Sequence, residues 1–336
     1  MTGGTVPAPG RIAEPAPTPA PHAPDASANA LEVVRAGALT TVQDLGRAGY
    51  ASLGVPRSGA LDLPAHRLAN RLVGNPAGAA TLETTLTGVA LRVRRATTVA
   101  VTGAPAAVRV DGRPAAWAGA VRVPAGALLD VGRAAGGLRS YIAVRGGIAV
   151  APVLGSRSTD VLSGLGPAPL RDGDVLPLGA PAGRPRHADT VYWPGPPDEL
   201  VLPVLLGPRD DWFTAAALRT LSAAAFSVSP NSNRIGLRTD GPVLERAVHG
   251  ELPSEGMVVG AVQVPPDGRP LVFLADGPTT GGYPVIGVVP ERALAAAAQA
   301  APGLPVRFVP VDRRGDHRER GPSHRGRIMG VPGNQR

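Results

Sequence analysis

From Leu31 onward the chain is a succession of short apolar runs, several alternating apolar and polar residues at period two, with Gly, Pro or Asp between them. Successive strand side chains point to opposite faces, so this pattern predicts β-strands. In the first half they are predicted at Leu31–Arg35, Ala38–Gln43, Val89–Val93, Thr97–Thr102, Ala107–Asp111, Ala120–Val123, Leu128–Val131 and Arg139–Val144. One helix interrupts them. Asp62 is placed to cap it, Pro64 fits its first turn, Leu68, Ala69, Leu72 and Val73 form one apolar stripe, and Gly74 ends it.

A second block runs from Leu200 to about Val311. Strands are predicted at Val201–Leu206, Ala225–Ser229, Met257–Val264, Leu271–Ala275 and Val306–Val309, and helices at Asp211–Leu221 and Glu291–Ala300. The tetrad Asp-Gly-Arg-Pro occurs at 111–114 and at 267–270, each time fitting a turn that enters a strand. Many short strands and few helices predict a mainly β protein of two barrel-like units rather than a doubly wound sheet. The expected organisation is a disordered Pro/Ala-rich arm over 1–30, β subdomains over 31–180 and 200–312, a Pro/Gly-rich linker over 181–199 and a disordered Arg-rich tail over 313–336.

Composition narrows the chemistry. All 34 basic residues are arginine, and cysteine is absent. There is no Schiff-base or P-loop lysine, no lysine to carry biotin, no thiolate nucleophile and no Cys-ligated metal. Of the 6 histidines only His66 and His249 fall inside the ordered blocks, so no metal site is expected, and His66 reads as packing on the surface of the first helix. The net charge of +8 suggests nucleic acid until it is located. The tail from Arg313 carries seven Arg against two acids and no aromatics, so most of the surplus lies there and no nucleic-acid partner is expected. No apolar run reaches the ~20 residues that span a bilayer, and the N-terminus lacks a signal-peptide pattern, which places the protein in the cytoplasm without a membrane partner.

Four segments concentrate polar groups. The first holds Gln43, Asp44, Arg57 and Ser58 in a Gly-punctuated stretch; the second holds Arg157 and Ser158 after Leu154-Gly155-Ser156. The third, Ser229–Gly236, sets Asn233 beside Arg234. The fourth is densest: Glu255, Gln263 and Asp276 supply acceptors around Thr279, Thr280, Gly281, Gly282 and Tyr283. Adjacent glycines admit close approach of a ligand to backbone N–H groups.

These segments carry a resemblance. TTVQDLGR at 40–47, GVPRSGALD at 54–62, ANRLVGN at 69–75, RSYIAVRGGIA at 139–149, VLGSRST at 153–159, SEG at 254–256, GAVQVPPDG at 260–268 and TTGGYP at 279–284 resemble the 5-oxoprolinase subunit-C family, also known as Kip-type antagonist, allophanate hydrolase subunit 2 or biotin-dependent carboxyltransferase domain. The resemblance implies two cyclophilin-like β-barrels. It implies membership of an ATP-dependent 5-oxoprolinase that converts 5-oxo-L-proline to L-glutamate with a subunit-B (Kip-inhibitor-type) partner and a lactam-utilisation subunit-A partner. ATP would be used through the complex, and biotin, if used, would ride on another chain. Two alternatives stay open: a carboxyltransferase component acting on urea or another small amide, and a non-catalytic regulator binding a Kip-type histidine-kinase inhibitor. Within the family reading the oxyanion of a lactam or urea would meet the donors of Thr280–Tyr283, Arg234 and Arg157 would neutralise a carboxylate or phosphoryl oxygen, and Glu255 or Asp276 would orient the substrate N–H or move a proton, so Glu255, Asp276 and Thr280 are the catalytic candidates. Gln43, Asp44, Arg57, Ser58, Arg157, Ser158, Asn233, Arg234, Gln263, Thr279, Gly281, Gly282 and Tyr283 are the substrate-binding candidates. Asn233, Gly277-Pro278 and Asp160 depart from the family's usual Asp, polar pair and aromatic at those places.

Overall fold

The computed structural model describes residues 29–186, 195, 197–250 and 252–312. Residues 1–28 of the expected arm over 1–30, part of the expected linker and the tail from 313 lie outside the described residues, while Asn29 donates to the Leu178 carbonyl at 3.0 Å and Ala30 opens the first strand.

The first half contains β1 (Ala30–Arg35), β2 (Leu39–Gln43), α1 (Leu63–Val73), β3 (Thr81–Thr85), β4 (Ala90–Val93), β5 (Thr97–Gly103), β6 (Ala106–Val110), β7 (Arg113–Ala115), β8 (Val121–Val123), β9 (Leu128–Ala134), β10 (Arg139–Val144) and β11 (Val175–Pro177). They form a six-stranded sheet, ordered β11-β1-β4-β9-β6-β7, and a five-stranded sheet, ordered β2-β3-β10-β5-β8. Leu31, Val33, Leu91, Leu129, Val99 and Ile142 are among the buried side chains that join the two sheets in one core. The helix forms as its sequence dictates: Asp62 accepts from the N–H of Ala65 at 3.0 Å, and Gly74 closes the end with φ 78°. Its apolar stripe packs with Tyr141 and Ala143 of β10.

The second half contains β12 (Leu200–Leu206), α2 (Ala215–Ala223), β13 (Phe226–Val228), β14 (Gly236–Asp240), β15 (Glu255–Gly256), β16 (Ala261–Gln263), β17 (Leu271–Phe273), β18 (Thr280–Gly281), β19 (Val285–Val288), α3 (Glu291–Ala298) and β20 (Pro305–Pro310). Seven of these strands close a barrel in the order β12-β19-β16-β17-β14-β13-β20, while β15 and β18 form a separate two-stranded ribbon. The architecture is mainly β with three α-helices among the described residues, in agreement with the strand pattern.

Several local readings differ, and besides β3 the strands β7, β11, β14, β15, β18 and β19 are absent from the predicted set. The predicted strand over Met257–Val264 is shorter, because Gly260 turns the chain at φ 90° so that its N–H meets the carbonyl of Phe273 at 2.8 Å. The helix predicted from Asp211 begins at Ala215, where Thr214 accepts from Ala217 N–H at 3.0 Å, after a short 3-10 turn over Asp210–Trp212. Strand β3, Thr-Leu-Glu-Thr-Thr, is absent from the predicted set: its polar residues are buried between β2 and β10.

Candidate functional site

The two halves meet across a seam built on charge. Arg234, on the approach to β14, is almost fully buried, and four of its five N–H donors are engaged. Nη1 donates to Glu83 of β3, Nη2 to the carbonyl of Gly59 at 2.8 Å, and Nε and Nη2 to the two oxygens of Asp276, each at 2.9 Å. Glu83 also accepts from the Tyr141 hydroxyl at 2.7 Å and the Leu61 N–H at 3.0 Å, with Arg139 nearby at 3.6 Å. Burial alone would raise the Glu83 pKa, but the Arg234 and Arg139 guanidiniums outweigh it and hold the carboxyl below its ordinary range. Burial would likewise strip a proton from Arg234, but Glu83 and Asp276 raise its pKa instead. Gln299, just past α3, completes the seam by bridging Asp62 at 2.8 Å and the backbone of Leu138 and Arg139.

This placement corrects two expectations. Asp276 is fully buried and bonded to Arg234 and the Val161 N–H, so it does not face a substrate or shuttle its proton. Four of the five N–H donors of Arg234 are taken by protein groups, and its side chain is 1% exposed. Both act inside the protein.

Asp44 is the hub of a second brace. Its carboxylate accepts from the hydroxyls of Ser156 and Ser158 and the N–H of Arg157, each at 2.6 Å, and from Gly46 N–H at 2.8 Å. Burial pulls its pKa upward, yet these donors lower it overall. Gln43 donates to Thr41 and to the Thr159 carbonyl, and Arg157 Nε to the Val150 carbonyl at 2.8 Å. Gln43, Asp44 and Ser158, expected at a substrate, are thus buried and join the loop after β2 to the loop at 153–159, although the Gln43 Oε1 has no hydrogen-bond partner. The first of these loops folds back tightly: a Cβ on Gly46 would lie 2.5 Å from the Arg57 carbonyl. His66 is also a correction, since it is wholly buried rather than on the helix surface, bonded to Thr81 and Ala77. Burial depresses its pKa to about 4.

Above the seam lies a cleft of about 400 Å³ with one wall from each half. Arg57, Ser58 and Arg67 line it on the first half; Leu274, Glu291 and Arg292 line it on the second. Ser58 holds a left-handed backbone, φ 54°, fixed by its N–H to the Ala275 carbonyl at 2.9 Å. Its hydroxyl is buried with no hydrogen-bond partner. Backbone strain and an unsatisfied polar group thus coincide at one residue. Arg57 pairs with Glu291 at 3.1 Å. A smaller groove of about 100 Å³ continues from Arg57 and Ala275 toward Met257 and Thr279.

The β15–β18 ribbon flanks this groove. Glu255 sits opposite Gly281 and is bound by Arg209. That partner lowers the Glu255 pKa, so the group is an ionised acceptor rather than a neutral-pH acid. Thr280, Gly282 and Tyr283 are exposed, while Gln263 is buried and donates to the Tyr283 carbonyl at 3.1 Å. Asn233 is a turn residue whose Oδ1 accepts from Ile235 and Gly236 N–H groups. The cleft therefore collects Arg57 and Ser58, the adjoining groove Thr279, and the ribbon beside it Glu255 and Thr280–Tyr283. Sequence reasoning missed Glu83, which reads as a solvated position in Thr-Leu-Glu-Thr-Thr, and Arg67 and Arg292, which lie on helices outside the four polar segments. Among the described residues no group of three or more His, Cys, Asp or Glu is placed to hold a metal ion, and no helix is long and apolar enough to cross a membrane.

The family model described as carboxyltransferase domain, subdomain A and B, matches residues 53–310. The 5-oxoprolinase subunit-C protein of Escherichia coli (strain K12) is 41% identical over 287 residues, covering 83% of this chain and 90% of that protein. Urea amidolyase of Lachancea kluyveri is 36% identical over 309 residues, covering 84% of this chain but 17% of that protein. In the crystal structure of the K. lactis urea amidolyase, a 32% identical region superposes with a TM-score of 0.78, over 84% of this chain and 19% of that one. The chain thus corresponds to nearly all of the first relative and to one segment of the much longer amidolyases.

Proposed function

The chain belongs to the carboxyltransferase-domain family, subdomains A and B, and from that premise we propose that it is one component of an ATP-dependent assembly that opens 5-oxo-L-proline to L-glutamate. The observation that supports this reading is likeness: the 5-oxoprolinase subunit-C protein of Escherichia coli is 41% identical over 90% of its length, against 36% for the amidolyase of Lachancea kluyveri. A subunit-B-type chain and a lactam-utilisation chain are the proposed partners, with ATP used through the assembled complex and the cytoplasm as the compartment.

The chemistry asks for charge control. Water adds to the ring carbonyl, the carbon–nitrogen bond breaks, and the nitrogen takes up a proton. Negative charge develops on the carbonyl oxygen and must be met by preorganised donors. In our reading the substrate lies in the seam cleft, with Arg57 and the free Ser58 hydroxyl against it. Thr279, Thr280 and Tyr283 add hydroxyls, and Gly281 and Gly282 backbone donors, at the groove and ribbon next to it. Glu255, held ionised by Arg209, accepts a hydrogen bond from the amide nitrogen.

The second reading, carboxyl transfer to urea or another small amide, is favoured by the structural likeness to a urea amidolyase. The chain contains no lysine, so a carboxyl group delivered on biotin would come from another polypeptide. The test is to co-purify the chain with its two partners and measure glutamate and phosphate release from 5-oxoproline. Release that requires every chain supports the proposal. Carboxylation of urea with a biotinyl carrier supports the second reading, and tight partner binding without any turnover supports a regulatory role; either result sinks the first.

A further inference from the structure

We propose that the seam cleft recognises a small carboxylate, and that Arg67 and Arg292 are the residues that recognise it, so that the site separates anionic amides from neutral ones. The proposal rests on the oxoprolinase reading only for its choice of ligand.

The cleft carries unmatched charge. It is lined by three guanidiniums, Arg57, Arg67 and Arg292, and one carboxylate, Glu291. Arg57 is matched by Glu291. Arg67 of α1 and Arg292 of α3, like other exposed arginines such as Arg109, have no acidic partner within ion-pair distance among the described residues. The two unmatched guanidiniums come from different halves of the protein and line the same cleft. Its other lining is apolar, with Leu45, Leu61, Leu63, Val259 and Leu294 beneath the charged rim. A charge bound between low-dielectric walls interacts more strongly than one in open water.

A carboxylate suits this arrangement. It offers two coplanar oxygens, and a guanidinium presents a planar fork of donors that matches them. The volume of about 400 Å³ lies in the range of pockets that take small molecules. The Ser58 hydroxyl, buried and unpartnered, is left to meet a polar atom elsewhere on the ligand. A neutral amide such as urea matches none of the charge and leaves both guanidiniums as they are.

The test uses the full chain at low ionic strength, titrated by calorimetry with 5-oxoproline and with 2-pyrrolidinone, the same lactam ring without the carboxylate. Wild type should bind the acid at least about tenfold more tightly than the neutral ring. R67Q and R292Q should each weaken 5-oxoproline binding, and the double variant should bind the two compounds alike. R109Q, on β6 and outside the cleft lining, is the charge control and should match wild type. Thermal melts confirm that each variant folds, as expected for exposed side chains. Equal binding of both compounds by wild type, binding of neither, or an unchanged preference in the double variant would each overturn the proposal. Turnover by the assembled complex is measured separately. Carboxylate selectivity without turnover leaves this proposal standing and removes the oxoprolinase reading; turnover with an unchanged double variant does the reverse.

Discussion

Arg234 and Glu83 lie 151 residues apart in sequence and pair inside the protein, each side chain 1% exposed. One comes from the barrel half and the other from the five-stranded sheet. Because Arg234 also grips Gly59 and Asp276, a single guanidinium ties the segment beneath one cleft wall to the segment beneath the other.

Removing that guanidinium leaves Asp276 without its counter-ion. Breaking a buried pair from one side costs about 3–5 kcal/mol, since the remaining charge stays desolvated. Arg234→Met should lose that much stability in urea titration. Arg234→Met with Asp276→Asn should lose clearly less than the two single losses added together. Strict additivity would show that the pair does not couple.

Asp44→Asn tests the second brace. An amide has one acceptor oxygen in place of two, and its NH₂ would face the Arg157 N–H or a serine hydroxyl. The expected loss is about 1–3 kcal/mol at neutral pH. The folded pKa of Asp44 is lowered, so its contribution is present above the ordinary value of 3.8 and disappears as pH falls through the folded value. The wild-type acid limb should therefore be steeper than that of Asp44→Asn; parallel limbs would contradict the brace.

His66 gives a separate pH signature. Its pKa falls from 6.5 to about 4 on folding, so the unfolded chain binds the proton more readily in that window. Stability is full above the unfolded value and is lost as pH drops, by about 2 kcal/mol at about pH 5. The stability of wild type minus that of His66→Gln should shrink by that amount between about pH 7 and about pH 5. A constant difference would mean that the folded protein takes up the proton freely.

How far the sequence reads depends on the range of the signal. The first helix is legible to its end residues because Asp62, Pro64 and Gly74 act within one turn of themselves. Most strands are legible from alternation alone. β3 is not, because burial on both faces removes the alternation and Thr-Leu-Glu-Thr-Thr looks solvated. The same limit holds at the site. Arg234, Asp276, Asp44 and Ser158 stand out as polar density, yet a sequence does not show whether such a group faces a ligand or another side chain. Glu83 is invisible for the converse reason: its partner is 151 residues away. Arg67 and Arg292 are single charges on helices, and only the fold brings them to one cleft.

In the proposed assembly this chain supplies part of the oxoprolinase substrate site through the cleft at its seam. That role is tested most directly by glutamate release from 5-oxoproline by the reconstituted complex, comparing wild type with Ser58→Ala and Arg57→Gln at equal assembly. No release is expected without this chain, and each variant should lose at least about tenfold, the scale of one transition-state contact. Release that proceeds without the chain, or at wild-type rate in both variants, would contradict the role.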